Sequence, residues 1–364
     1  MESFDIYYNC GQPTSKEFRI HKYKNWNSDP RYDFMIGEDI RIMNHMLRIP
    51  ELSATINNKQ LFKCASHEVS GEICLLRDKL LRSKKVTLND LMKKRCNDIA
   101  NLDKPIWIMC SGGIDSTALT LAFMGMNIPI HVLMTEHIKY ENPNFPDFLK
   151  KNNVHYEIVD FDNFLNVIYS NVDIAAIVTG GGGCQISGYS TVMYHPLLST
   201  INKPEEQDAS LIIKRLYNYE PYWVDMLKNN FDKRSYIEIG WLTNLLFRWN
   251  WTLICDTLDL AYMAKINNVP HQWNIRDIIP FYGTQDFRLF GYQYFTKHSL
   301  IEEGYNTKKF LKKYIHERYK DNDYFKTKVK MDSGYLPYFV HYLTRVYRNG
   351  NIEILPLGDN RCMN

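Results

Sequence analysis

Residues 110–118 read Cys-Ser-Gly-Gly-Ile-Asp-Ser-Thr-Ala and gather the groups that handle phosphate. Gly112 and Gly113 let a bulky anion reach the backbone, and Ser111, Ser116 and Thr117 add hydroxyl donors. Asp115 would repel a bare phosphate, but it becomes a ligand once Mg²⁺ lies between carboxylate and phosphate. The set suits a pyrophosphate that leaves with its metal. The apolar run Pro105-Ile106-Trp107-Ile108-Met109 precedes it, and Ala118-Leu119-Thr120-Leu121-Ala122-Phe123-Met124 follows. That order predicts buried strand, glycine turn, helix, with the first N–H groups of the helix and its positive dipole end aimed above the strand. The plainer alternative is a serine-capped turn in which Asp115 is only a helix-start residue. Neither the Gly-x-x-x-x-Gly-Lys-Ser/Thr loop nor the Gly-x-Gly-x-x-Gly spacing is present at this position.

Residues 178–189 read Val-Thr-Gly-Gly-Gly-Gly-Cys-Gln-Ile-Ser-Gly-Tyr, again after an apolar run. Consecutive glycines cost conformational entropy on folding, so they make poor packing residues. They suit a backbone that closes over a phosphate or an acyl-adenylate. A flexible connection is the competing reading.

The elements that position these loops alternate. Strands are predicted at Ile106–Met109, Ile128–Met134, His155–Val159 and Ile174–Val178, with helices at 116–125, Phe145–Lys151 and Phe161–Tyr169 between them. Continuous apolar strands in a β-α-β-α rhythm predict an α/β fold, a parallel sheet with helices on both faces. Ligands then sit beyond the carboxyl ends of the strands. Thr135-Glu136-His137 and Asp160-Phe161-Asp162 become the walls of the crevice there; for a nucleotide ligand they would be the walls for adenosine, with Thr135 a nucleotide contact and Glu136 or Asp160 open as ribose ligands or, equally, as solvated loop carboxylates. Upstream, Phe4–Tyr8 and Phe18–Ile20 look like strands, and Ile36–Leu47, Leu75–Arg82 and Leu88–Leu102 like helices, the last capped by Thr87 or Asn89. Past residue 195 the texture turns helical and aromatic: Glu205–Leu216, Tyr222–Asn229, Ile237–Ile254, Thr257–Ile266 and Lys308–Tyr319. The division expected is a small N-terminal α+β region of unknown role (1–100), an α/β core carrying both glycine loops (101–200) and a mostly helical C-terminal elaboration for substrate or acceptor (201–364).

Composition bounds the class. The chain has 364 residues, 45% hydrophobic and 23% charged, with a formal net charge of +3. These are globular values, and the charge is too small to imply a nucleic-acid partner by itself. With no long apolar run or signal pattern, the expectation is a cytoplasmic protein without membrane association. The eight cysteines form no Cys-x-x-Cys pair, against a zinc ribbon or dithiol motif. Cys64, His67 and Cys74 are the only metal-like cluster and read as a chance grouping.

The Ser-Gly-Gly-x-Asp-Ser stretch at 111–116 resembles the loop of the ATP pyrophosphatase (PP-loop) superfamily, which cuts ATP between its α and β phosphates. The resemblance narrows to the synthetase domain of asparagine synthetases and β-lactam synthetases. Their second loop runs Ser-Gly-Glu-Gly-Ser/Ala-Asp-Glu, an apolar residue, then Phe-Gly-Gly-Tyr. Thr179, Gly180, Gly182, Ile186, Gly188 and Tyr189 match in order with one deletion. Asp256-Thr-Leu-Asp-Leu-Ala-Tyr-Met-Ala and Ile275-Arg-Asp-Ile-Ile-Pro280-Phe281-Tyr282 look like the family's Asp-containing helix and its Arg-x-Pro-Phe motif. Lys308-Lys-Phe-Leu311-Lys312 is similar to its Lys-x-x-Leu-Arg. Together these cover about 105–315, in the family's order.

The resemblance implies an adenine nucleotide alpha hydrolase-like fold, with ATP as substrate and Mg²⁺ as cofactor. It places Cys110, Ser111, Gly112, Gly113, Asp115, Ser116, Thr117, Gly180, Gly181, Gly182 and Gln185 around ATP and pyrophosphate, with Asp115 on the metal. Lys308 steadies the phosphate during adenylation, unless it is a solvated helix lysine. Tyr189, Asp256 and Arg276 would line a substrate pocket. Departures limit the inference: Gly181 replaces a glutamate proposed as general base, and Cys184-Gln185 replace an Asp-Glu pair. Asp256, Asp259, Asp277 and Tyr189 remain open as bases. Residue 2 is Glu2, so the N-terminal nucleophile of glutamine-dependent relatives is not expected. The implied reaction adenylates a small-molecule carboxylate or a modified base, and an amine or ammonia, supplied by a separate protein or free, attacks it. Adenylation of a tRNA base and a non-catalytic nucleotide binder are the alternatives.

Overall fold

The computed structural model describes residues 3–10, 55–56, 59–60, 86–187, 257, 260, 261, 264, 268–274, 277–295, 308–328, 340–347 and 351–356. The expected strand at Phe18–Ile20, the helices between 36 and 82 and between 205 and 254, and the Cys64/His67/Cys74 grouping lie outside these residues. The first strand, β1 (Ser3–Cys10), extends the run read at Phe4–Tyr8. A two-residue pair follows, β2 (Thr55–Ile56) and β3 (Lys59–Gln60).

Helix α1 (Leu88–Ala100) begins where Thr87 accepts a hydrogen bond from the Asp90 amide at 3.2 Å, one of the two caps expected. Its Leu91, Met92, Cys96 and Ile99 recur at helical spacing and are buried. The chain then alternates: β4 (Ile106–Met109), α2 (Ile114–Gly125), β5 (His131–Thr135), short α3 (Ile138–Glu141), α4 (Phe145–Lys151), β6 (His155–Val159), α5 (Phe161–Asn171), β7 (Ala176–Thr179) and short α6 (Gly183–Ile186). Among the boundaries that differ from expectation, three have clear local reasons. Strand β5 begins at His131 rather than Ile128, since Pro129 has no N–H to offer a ladder. Strand β7 begins at Ala176 because the amides of Ile174 and Ala175 bond the Asn171 carbonyl that closes α5. Helix α2 starts at Ile114, since Gly113 already stands at its N-cap.

Later elements complete the molecule: β8 (Ile278–Pro280), α7 (Gln285–Phe295), α8 (Lys309–Tyr319), α9 (Asn322–Thr327), β9 (Val340–Tyr347) and β10 (Ile352–Pro356). The central sheet is five-stranded and all parallel, ordered β6-β5-β4-β7-β8. Its fifth strand comes from the segment quoted above for its Arg-x-Pro-Phe likeness. A second sheet, β1-β9-β10, is antiparallel and joins the two ends of the chain, with Ser3 opposite Tyr347 and Cys10 opposite Val340.

The α/β architecture read from the sequence is thus the one found, flanking helices and C-terminal helices included. Right-handed crossovers put α2 on one face, and α5, returning from edge strand β6 to β7, on the other. Helix α2 is buried along Ile114 and Ser116–Phe123, enclosed by the sheet, α1 and α8. Side chains such as Phe123, Phe145 and Phe281 are fully enclosed, each contributing roughly 1.5–3 kcal/mol by leaving water. Strand order reverses between β4 and β7, and both glycine loops leave the carboxyl ends of these two neighbours. That is where an open parallel sheet forms its ligand crevice. Among the described residues, no helix is long and apolar enough to cross a membrane.

Candidate active site

After β4 the chain turns through Gly112, whose φ of +77° lies in the left-handed region that glycine alone occupies freely. A Cβ there would come within 2.5 Å of Ile138 Cδ1, so α3 closes tightly against the loop. Gly113 is the N-cap of α2 and carries no capping side chain, leaving the first turn of the helix to face the crevice. Ser111 Oγ accepts from the Gly113 amide at 3.3 Å and stands 3.2 Å from Ser116 Oγ, which donates to the Gly113 carbonyl. The serines therefore brace the loop. Cys110 lies beneath it, its buried thiol 3.8 Å from Ser116 Oγ. Burial pushes that thiol above its ordinary range.

Two tyrosines hold this loop from below. Tyr282 Oη donates to the Asp115 carbonyl at 3.0 Å, and Tyr324 Oη donates to the Gly112 carbonyl at 3.2 Å. Thr117, fully buried, is 3.5 Å from the Tyr324 hydroxyl. Burial first, and then the Asp115 charge, push the Tyr282 phenol well above its usual range, so it remains a donor. Burial raises Tyr324 likewise. Arg95 of α1 donates to the carbonyls of Pro280 and Phe281, both at 3.0 Å, and so fixes the strand end from which Tyr282 springs.

The second loop leaves β7 at Thr179, whose Oγ1 accepts from the Gly181 amide at 3.2 Å. Gly182 has φ +89°, and Gly183–Ile186, Cys184 and Gln185 included, winds into the short helix α6. The segment read as a glycine loop is thus partly helical. It packs directly on Asp115: a Cβ on Gly180 would stand 3.0 Å from Asp115 Cβ, and one on Gly183 would overlap the carboxylate itself.

Lys308 completes the cluster. Its ammonium donates to Asp115 Oδ2 and lies 3.3 Å from Cys184 Sγ. The residue is buried and stands at the N-cap of α8 with φ +60°, one position before the helix in which it was expected. The structure therefore brings together Asp115, Lys308, Ser111, Ser116, Gly112, Gly113 and the Gly180–Gly183 turn. Thr135 closes β5 at the same end of the sheet. Tyr189, Asp256, Asp259 and Arg276 lie outside the described residues.

Two of the candidates make other contacts. Asp160, a candidate ribose ligand, caps α5, its side chain accepting from the Asn163 amide at 2.9 Å and from Asn163 Nδ2 at 2.7 Å. Asp277, a candidate base, precedes parallel β8 and so stands at the amino end of the sheet, opposite the loops. There it accepts from the Asn274 amide at 2.7 Å and faces His271 at 3.1 Å. Glu136, the other ribose candidate, is exposed and lies 3.9 Å from Lys139. The reading from sequence gave no role to Tyr324 or to the hydroxyl of Tyr282. Position was their only signal, since Tyr282 follows the quoted Pro280-Phe281 pair.

Mg²⁺ fits this donor set. Asp115 Oδ1 is buried and has no hydrogen-bond partner among the described residues. An unmatched buried acceptor typically costs about 1–3 kcal/mol, which a hard cation would offset. Searches against protein-family models, curated proteins and solved structures match this chain to none of them.

Proposed function

We propose that this chain is an ATP-dependent ligase of the ATP pyrophosphatase type, asparagine synthetase-like in its site. It would adenylate a carboxylate or carbonyl oxygen, release pyrophosphate, and pass the acyl group to an amine or ammonia. One observation carries the reading. A buried lysine 193 residues away in sequence sits on the aspartate of a Ser-Gly-Gly-x-Asp-Ser loop, at the strand reversal where two glycine loops meet.

In this reading Asp115 would hold Mg²⁺, which would supply charge neutralisation for the departing phosphates. The first-turn amides of α2, with Ser111 and Ser116, receive phosphate oxygens. Lys308 turns its ammonium from Asp115 to the phosphate. Positioning and charge matching, rather than a covalent step on the protein, supply the rate enhancement. Gly181 and Cys184 replace carboxylates, so aspartate is not the expected acceptor.

A second reading, adenylation of a nucleobase for thiolation, draws on the Cys184 thiol beside Lys308. The test is ATP/pyrophosphate exchange with Mg²⁺ against a panel of carboxylates, with product analysis. AMP and pyrophosphate are expected. ADP and phosphate would overturn the assignment. ATP binding without turnover on any carboxylate or modified base would mark a nucleotide-binding pseudoenzyme instead.

A further inference from the structure

At the opposite end of the sheet, His131 opens β5 and His155 opens β6, and the two are direct partners in the parallel register. Trp107 is the partner of His131 on β4, and its indole stacks on the imidazole with centroids 3.9 Å apart and 7° between planes. That stack fixes the plane of the His131 ring. The two Nδ1 atoms lie 3.0 Å apart, and His131 Nε2 faces Glu157 Oε1 at 3.2 Å. Glu157 is two residues beyond His155 on the strand, hence on the same face. One ligand atom from each of these side chains lies within 4.8 Å of the other two.

We propose that His131, His155 and Glu157 form a site for a late first-row divalent ion, Zn²⁺ first among them. Two nitrogens bound tetrahedrally to one zinc stand about 3.3 Å apart, given bonds of about 2.05 Å. The observed separation needs a shift of only a few tenths of an ångström to reach this. Imidazole pairs with zinc, copper and nickel rather than magnesium. This site and the Asp115 carboxylate, at opposite ends of the strands, therefore select different ions. The two Nδ1 atoms face each other as the ligands, while Glu157, on the Nε2 edge of the His131 ring, faces that N–H and holds the imidazole in the tautomer that a Nδ1-bound ion requires; water fills the remaining positions. The exposed edge of the site is open to the ion, because His155 and Glu157 lie at the surface. Among the described residues β6 is an edge strand with a single neighbour, so an ion shared between β5 and β6 ties that edge to the sheet.

The test uses the full chain. Zn²⁺ is titrated against a chromophoric competitor, and Co²⁺ serves as the spectroscopic probe. One ion per chain is expected, with the visible bands of four-coordinate cobalt and no strong thiolate charge-transfer band. His155→Ala and Glu157→Gln should each weaken binding at least tenfold, while His271→Ala, at another histidine–carboxylate contact, should not. Zn²⁺ should also raise the melting temperature of the wild type and not of His155→Ala. Undiminished binding in both site variants, a thiolate band, or no binding by the wild type would overturn the site.

Discussion

Lys308 and Asp115 lie 193 residues apart in sequence and form an ion pair at the base of the crevice. Stability alone would not place a lysine at position 308. It is 1% exposed and its φ is +60°, a conformation that costs a residue with a Cβ about 1–2 kcal/mol. It also stands at a helix N-terminus, where the dipole disfavours a cation. Lys320 shares the left-handed conformation, but at an exposed C-cap, where such residues are common. Strain of this kind gathers at functional sites.

Replacing Lys308 should therefore separate catalysis from binding. Lys308→Met is expected to lower the adenylation rate by at least ~100-fold with a small change in ATP affinity, as for an interaction strongest in the transition state. Breaking a buried pair on one side should also cost about 3–5 kcal/mol, and the double variant Asp115→Asn with Lys308→Met should recover much of it. Lys309→Ala, exposed on the next position of α8, is the control. Denaturant melts and single-turnover kinetics read the two effects. Equal, mild losses at both lysines would remove Lys308 from the chemistry.

Asp115→Asn alone should destabilise the chain as Lys308→Met does, and the protein that remains folded should turn over ATP ~100-fold more slowly or worse, because a charged metal contact is lost. Mg²⁺ dependence should weaken in parallel. The measurement is AMP and pyrophosphate release across a Mg²⁺ titration. An unchanged magnesium requirement would place the metal on another ligand.

Much of this site was legible because it is local. The apolar run, the glycine pair and the following helix together specify strand, turn and N-terminus, and the found order reproduces them. Pairings distant in sequence were not legible. Strand β8 is three residues long, too short for any periodicity to register, and only the neighbouring β7 identifies it. Tyr282 and Tyr324 reach the loop through single hydroxyls whose targets are backbone carbonyls, and a backbone acceptor leaves no mark in the sequence. Asp160 and Asp277 were ambiguous for the reverse reason: a carboxylate beside a strand serves equally as a cap or a ligand, and here Asp160 caps a helix while Asp277 meets a histidine and an amide.

Gly183→Ala tests the contact between the two loops. The new methyl group would overlap the Asp115 carboxylate, so either Asp115 rotates or α6 backs away. Overpacking should cost about 1–3 kcal/mol of stability. A displacement near 1 Å at the metal ligand should cost ~100-fold in kcat/KM. At Gly125 nothing lies within 4 Å of an added Cβ, and Ala there should leave turnover intact and stabilise by about 0.4–1 kcal/mol. Similar kinetics for the two variants would mean that the second loop does not shape the site.

Cys184 offers a readout that needs no knowledge of the acceptor. Its thiol is partly exposed between Asp115 and Lys308, whereas Cys96 and Cys110 are buried. Burial raises the Cys96 thiol to about 12 and raises Cys110 as well, so neither forms much thiolate at moderate pH. Thiolate is the reacting species. Iodoacetamide at about pH 8 should then modify Cys184 well before Cys96 or Cys110, as peptide mass mapping would show. Saturating Mg²⁺ and ATP should slow that modification several-fold, since the 180–186 segment would close over the phosphates and shield the thiol. Labelling of Cys184 at the same rate with and without nucleotide would show that ATP does not occupy the crevice between the two loops, whatever else the chain binds.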